Sequence, residues 1–312
     1  MIVQEHYFTC SHMHIQATSS ILGAYICEVD LSNLSESEWK EINKAFLEYA
    51  VLVFPKANLT DPQQVRFSKR FGKLETLTGN PLIKTLWVSN LDTNGDILPL
   101  DDDNFRIIRG NEYWHTDSSY MPVSAKASCL SAVTIPAEGG ETSWADMRAA
   151  YDALDSATKS QISGLAAYHS FYRSQEELGQ EVEIGSRYGF HRSGAPLRPL
   201  VKDHSETGRK ALYIGRHAYR IPGMEDNAAQ ELLKELNEFA CQPCFVFEHS
   251  WSVGDMVLWD NRCVLHRVKP YDYSKPRVMR HTRISGDTSE FAPTDPHEQP
   301  THFAAQSDQS AN

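Results

Sequence analysis

Positive charge is in short supply in this chain: 30 Lys and Arg face 41 Asp and Glu, a formal net charge of −11. Nucleic-acid binding needs clustered Lys and Arg to displace phosphate counterions, so the net charge argues against that class of partner. An anionic small molecule would have to find its cation in a local pocket. Long apolar runs are also missing: nothing approaches the ~20 apolar residues of a membrane helix, and no secretory leader is visible. Cysteine is sparse and unordered. The six, Cys10, Cys27, Cys129, Cys241, Cys244 and Cys263, show no framework spacing. Cys241-Gln-Pro-Cys244 has neither a second pair to complete a zinc cage nor the strand-to-helix setting of a redox motif. These absences lead to the expectation of a reduced, cytoplasmic protein with no nucleic-acid or membrane partner, and with homo-oligomer formation left open.

What is present suits a globular fold: 41% of the residues are hydrophobic and 23% charged, enough apolar material for a sizeable core. Ser35 and Glu38 form a capping box ahead of an amphipathic helix running to Ala50, with Trp39, Ile42, Phe46 and Tyr49 on one stripe. Val51 to Phe54 reads as a short strand stopped by Pro55, Asp61-Pro62 opens a second helix through Phe71, and Thr85 to Asn90 reads as a strand. Residues 91–111 are polar and predict a loop or lid. Their acidic triplet Asp101-Asp102-Asp103 lacks the spaced ligand pattern of a calcium loop. Strand patterns follow at 127–135, 165–171, 211–214, 245–249, 256–259, 264–269 and 277–285, interrupted by helical patterns at 145–154, 157–164 and 227–240. Many strands returning over long distances predict a jelly roll, mainly β with flanking helices. From Thr288 onward the chain has little to bury, and a mobile tail over 288–312 is expected.

His115-Thr116-Asp117 is the pattern that carries chemistry. Strand side chains two apart share a face, so His-x-Asp on a strand would aim two ligands into one cavity. His266 supplies a distant third. Two histidines and a carboxylate are the ligand set of a non-haem Fe(II) site with open positions, and zinc also accepts them. By itself a His-x-Asp triplet is expected about once by accident in a chain this rich in both residues.

The surroundings are more specific. Val51-Leu-Val-Phe54, Phe71-Gly-Lys-Leu-Glu75, Asn111, Trp114, Gly139-Gly-Glu-Thr142, Trp259-Asp-Asn-Arg262 and Arg277-Val-Met279 follow in order. From Leu52 to Asp287 the chain thereby resembles the taurine dioxygenase and chlorophenoxyacetate dioxygenase family of Fe(II)/2-oxoglutarate-dependent oxygenases. The segments 145–154 and 208–213 look closer to the chlorophenoxyacetate branch. The resemblance implies a double-stranded β-helix, with one catalytic domain over residues 1–287. It also implies Fe(II) held by His115, Asp117 and His266, with 2-oxoglutarate and O₂ as cosubstrates. Thr142 and Arg277 match the residues that hold the far carboxylate of 2-oxoglutarate. An arginine suits that place because its planar fork meets a carboxylate with two parallel hydrogen bonds. The implied reaction hydroxylates a C–H bond of a small, anionic organic molecule and releases succinate and CO₂.

Substrate contacts are less defined. Asn111 matches a family position that touches substrate, or simply ends the loop. Family members that bind sulfonates or carboxylates carry an arginine four residues after the one matching Arg277, where this chain has His281. Alternation puts Arg277, Met279, His281 and Arg283 on one face and Arg280 on the other. The substrate anion is thus expected to meet His281, Arg283 or a loop residue, and a His281 that binds an anion does so best when protonated. Trp259, Asp260 and Arg262 flank the turn before His266, where Asp260 and Arg262 are expected to pair and brace it, although core packing also explains Trp259. His169, His191, His204, His217 and His249 lack ligand spacing. Two other readings compete: a catalytically silent barrel that binds metal or a small acid, and a zinc hydrolase.

Overall fold

Ser35 Oγ accepts from the Glu38 N–H, and Ser35 N–H donates to Glu38 Oε2 at 2.8 Å, so the capping box starts helix α1 (Glu36–Tyr49) as read. Its Ile42, Ala45 and Phe46 are buried, and the rings of Trp39 and Phe46 meet Phe71 at 4.6 and 5.2 Å. These contacts belong to a computed structural model that describes residues 13–78, 80–180, 185 and 188–298. Cys10 and the last part of the expected tail lie outside the described residues.

The chain runs through β1 (His14–Ala17), β2 (Ala24–Cys27), α1, β3 (Val51–Phe54), α2 (Asp61–Lys69), β4 (Leu86–Ser89), α3 (Asp103–Gly110) and β5 (Ala125–Thr134). Next come β6 (Thr142–Asp146), α4 (Met147–Ala153), α5 (Ser156–Ile162), β7 (Ala166–His169) and α6 (Phe171–Glu176). β8 (Ala195–Pro199), β9 (Val201–Asp203), β10 (Lys210–Leu212), β11 (Ala218–Arg220) and α7 (Asp226–Ala240) follow. The remainder holds β12 (Val246–His249), β13 (Met256–Asp260), β14 (Val264–Val268), β15 (Val278–Ser285) and β16 (Thr294–Asp295).

Seven strands form one sheet in the order β1-β2-β3-β13-β5-β15-β4, and β12-β6-β14 form a smaller one. The fold is mainly β with flanking helices, the double-stranded β-helix arrangement. β3 and β13 are continuous apolar runs because both faces are covered. Leu52, Phe54, Met256 and Leu258 pack with α1 and α2, whereas Val51, Val53, Val257 and Trp259 face the interior between the sheets. There a cavity of about 910 Å³ opens, lined by Leu130, Trp259, His281 and Arg283 of the large sheet and by Thr142 and His266 of the small one.

Four expectations need correction. Residues 91–111 are not all loop: Asp102 accepts from the N–H groups of Asn104 and Phe105 and caps α3, whose Phe105 and Ile108 are buried with Leu98. The acidic triplet is therefore a helix start. His115 and Asp117 do not share a strand: His115 makes an isolated antiparallel bridge with His266, and a turn carries Asp117, with Ser118 at φ 56. Arg277 precedes β15, and the register shifts between Val278 and Met279, so strict alternation fails there. The segment after Thr288 is packed over its described part: β16 pairs with β8, and buried Glu290 accepts from Ser124 Oγ at 2.8 Å.

Candidate active site

Two backbone hydrogen bonds between His115 and His266, at 3.0 and 2.7 Å, bring their imidazoles to a centroid separation of 4.1 Å. His115 Nδ1 lies 2.8 Å from Tyr113 O. A carbonyl can only accept, so Nδ1 carries the proton and Nε2 is free to act as a ligand. One ligand atom each from His115, Asp117 and His266 lies within 4.8 Å of the others, and all three residues are buried. The protonation states suit a cation. Burial pushes His115 down to about 4, and His266 well below the usual histidine value, so both are neutral at pH 7. Burial pushes Asp117 up, but Arg283 and the neighbouring imidazoles outweigh it and hold the carboxyl below its ordinary range.

Asp117 is clamped from both sides. Arg283 Nη2 donates to Oδ1 at 2.7 Å, and Ser128 Oγ donates to Oδ2 at 2.6 Å. Arg283 also donates to Ser118 Oγ at 3.1 Å, so its guanidinium holds the turn that carries Asp117. His281 Nε2 sits 3.6 Å from Asp117 Oδ2, and its ring stacks on Trp259 at 5.9 Å. Burial lowers His281 to about 4, so the protonated imidazole expected for anion binding is not the state at pH 7. Arg280, as alternation required, points away beneath α2, with Nε donating to Gln64 Oε1 at 2.8 Å. Asn111 is the C-cap of α3 and also lines the cavity.

Trp259 lies with its ring 4.8 Å from that of His266 and lines the cavity. Asp260 and Arg262 do pair: Nε and Nη2 of the arginine reach the two carboxylate oxygens at 2.8 and 2.6 Å, and His204 Nε2 lies 3.0 Å from Oδ2. They brace the turn between β13 and β14 that leads to His266. His204, Asp260 and Cys263 also cluster, yet this carboxylate is already filled by a guanidinium.

Thr142 and Arg277 meet in the same cavity. Trp251 Nε1 donates to Thr142 Oγ1 at 2.9 Å. An indole N–H cannot accept, so the threonine proton is left to donate elsewhere. Arg277 is 5% exposed, its Nη2 donates to Gly140 O at 3.1 Å, and its Nε has no partner. Gly140 has φ 75, and a Cβ there would stand 3.1 Å from Arg277 Nε, so a glycine gives the guanidinium its room. No carboxylate lies within ion-pair distance of Arg277 among the described residues. A buried, unneutralised fork that shares its cavity with a hydroxyl donor fits the far carboxylate of a keto diacid.

Sequence reasoning missed four contributors. Arg216 lines the cavity with no acid in ion-pair range among the described residues, and it donates only to the carbonyls of Gly110 and Ser174. Burial lowers it to about 10, still charged at pH 7. His217 lines the cavity beside it, Nδ1 2.9 Å from Ser174 Oγ. Asn261 and Ser128 lie behind Asp117. None has a spacing that a sequence could expose, except that Asn261 sits inside Trp259-Asp-Asn-Arg262. Phe171, Phe190, Tyr120 and Leu86 supply apolar wall.

Residues 14–283 match the family described as Taurine catabolism dioxygenase TauD, TfdA family. The chain is similar to the (S)-phenoxypropionate/alpha-ketoglutarate-dioxygenase of Sphingobium herbicidovorans, 46% identical over 279 residues, covering 88% of this chain and 95% of that protein. It is 37% identical over 277 residues to the alpha-ketoglutarate-dependent 2,4-dichlorophenoxyacetate dioxygenase of Cupriavidus pinatubonensis, covering 86% of this chain and 96% of that protein. Among solved structures, AAD-2 in complex with Mn(II) and N-oxalylglycine superimposes with a TM-score of 0.82 at 38% identity, covering 89% of this chain and 98% of that one.

Proposed function

Because this chain belongs to the TauD, TfdA family and is an alpha-ketoglutarate-dependent dioxygenase, we propose that its substrate is an aryloxyalkanoic acid, hydroxylated on the carbon that bears the ether oxygen. The supporting observation is one cavity that holds a His-Asp-His cluster and two guanidiniums, the buried Arg277 and the half-buried Arg216, neither neutralised by an acid among the described residues. Two unpaired cations call for two anions. Arg277 with Thr142 takes the far carboxylate of 2-oxoglutarate. Arg216, with His217 beside it, takes the substrate carboxylate, and the aromatic walls take the aryl ring.

His115, Asp117 and His266 are the residues that hold the iron. When bound, Fe(II), 2-oxoglutarate and O₂ supply the oxidation that converts a substrate C–H into C–OH with release of succinate and CO₂. This chain contributes placement. Neutral imidazoles and an ionised carboxylate offer three lone pairs without competition from protons at pH 7. The two guanidiniums give the two acids separate anchors in the cavity, which orients the substrate carbon rather than merely retaining it. The apolar walls exclude water from the reacting centre. Free Cys27, Cys129, Cys241, Cys244 and Cys263 support a reducing, cytoplasmic setting, and no helix among the described residues is long and apolar enough to cross a membrane.

A hydroxyl on a carbon bearing an aryl ether collapses to a phenol and an oxo acid. Protein loaded anaerobically with Fe(II) and 2-oxoglutarate, then given O₂ and (S)-2-phenoxypropionate or phenoxyacetate, should release phenol in step with succinate. Succinate that does not rise above the substrate-free background with any aryloxy acid would reject this substrate class. A missing visible charge-transfer band in the anaerobic mixture would reject the site assignment itself.

A further inference from the structure

Asp117 Oδ2 faces His266 Nε2 at 3.9 Å and accepts the Ser128 hydroxyl at 2.6 Å. Ser128 stands on β5 directly between Trp259 of β13 and Arg283 of β15, so the three side chains leave the large sheet on one face. A serine hydroxyl can rotate, and nothing in Ser128 itself says that its single proton must point at Asp117. Asn261 decides it. The Trp259 indole N–H can only donate, and it lies 2.9 Å from Asn261 Oδ1, so that end of the amide is the oxygen. The other end, Nδ2, is then a donor and lies 2.9 Å from Ser128 Oγ. Ser128 accepts there, and its proton is left for the carboxylate.

We propose that Asn261 is a positioning residue for Asp117. Its amide converts the fixed direction of the Trp259 indole into a fixed direction of the Ser128 hydroxyl, and so locks the carboxylate towards the two imidazoles. The inference rests on the reading of His115, Asp117 and His266 as the metal set. Asn261 is 1% exposed and holds the same turn twice more. Its Oδ1 accepts from the Asp117 backbone N–H at 3.3 Å, and its carbonyl accepts from Thr116 Oγ1 at 2.7 Å. An apolar side chain in its place would leave the Ser128 hydroxyl free to turn, and a carboxylate would take the serine proton for itself. With Arg283 on Oδ1 and Ser128 on Oδ2, each oxygen of Asp117 has one donor, which stops the carboxylate rotating about its bond to the chain.

The test is Mn(II) binding by the full chain, measured calorimetrically together with the electron paramagnetic resonance spectrum of the bound ion and the melting of the metal-free protein. S128A removes one buried oxygen with little change of shape, and N261A removes the amide. Each is expected to weaken Mn(II) binding about 10-fold or more, the range for losing a partner that orients a metal ligand. Both should change the Mn(II) spectrum in the same way. The double variant should bind no more weakly than the single ones, because both break one link. Single variants that bind within twofold of wild type, or losses that multiply in the double variant, would overturn the relay even if the metal-free proteins melt early. Wild-type protein that binds no Mn(II) would overturn the metal assignment and the relay with it, whereas failure confined to the variants overturns the relay alone.

Discussion

Replacing Arg277 by Met should separate two quantities that usually move together, cosubstrate affinity and stability. The guanidinium is buried, its Nε is unpartnered and its Nη2 reaches only Gly140 O. Burial already holds it below the ordinary arginine range, which marks a desolvated cation without its counter-ion. Hydrogen bonds to a charged group contribute about 1.5–3 kcal/mol each, so losing a two-pronged contact costs about 3–6 kcal/mol. At about 1.4 kcal/mol per tenfold, 2-oxoglutarate affinity should fall at least ~100-fold. The metal-free protein should respond in the opposite sense. Removing an unsatisfied buried polar group relieves about 1–3 kcal/mol, and methionine keeps much of the apolar stem. At roughly 2–4 °C per kcal/mol, R277M should melt a few degrees above wild type. Thermal unfolding without additives, and then anaerobically with saturating Mn(II) and rising 2-oxoglutarate, reads both effects. The expected pattern is a higher starting melting temperature and no cosubstrate-dependent rise. A variant that melts below wild type yet keeps the full rise would refute the reasoning and make Arg277 a structural residue.

Thr142→Val should raise the 2-oxoglutarate requirement about 5-fold, the worth of about 1 kcal/mol of hydrogen bonding, and lower the melting temperature slightly by stranding the Trp251 indole N–H; an unchanged requirement would remove Thr142 from the cosubstrate site. Arg216→Met should raise the KM for an aryloxy acid at least tenfold at constant 2-oxoglutarate requirement, and a shift in both would place Arg216 elsewhere in the reaction. Asp260→Asn should destabilise the fold by about 3 kcal/mol in urea unfolding, because Arg262 loses the carboxylate that its fork grips. The sign with pH follows. Burial raises the Asp260 value, but Arg262 and His204 outweigh it and hold it low. Its contribution is thus present above the ordinary carboxylate range and lost as pH falls towards the depressed folded value, so D260N should flatten the acid limb of stability. An unchanged acid limb would count against that assignment.

The chemistry-bearing residue types were legible early. His115, Asp117, His266, Thr142 and Arg277 stand in a recognisable order, and all five line the same cavity between the sheets. The helix opening at Ser35 was legible because a capping box is written in adjacent residues. α3 was not, because an eight-residue helix whose start is three aspartates offers too little periodicity to stand out from a loop. His-x-Asp was read correctly as a pair of inward residues for the wrong local reason. A single bridge to His266 and a turn pinned by Asn261, Ser128 and Arg283 do what a strand was expected to do.

By itself the amino-acid sequence determined a β-rich catalytic chain with a two-histidine, one-carboxylate set and an ordered set of motifs that includes Arg277, because ligand type and motif order are properties of the chain. Only the tertiary structure decided which further polar groups converge on that set. Arg216 came into the cavity unannounced, Arg283 turned out to grip Asp117, His281 lost its charge to burial, and Asn261 took hold of Ser128. Each outcome depends on desolvation and hydrogen-bond direction between segments far apart in the chain, and local residue preference encodes neither.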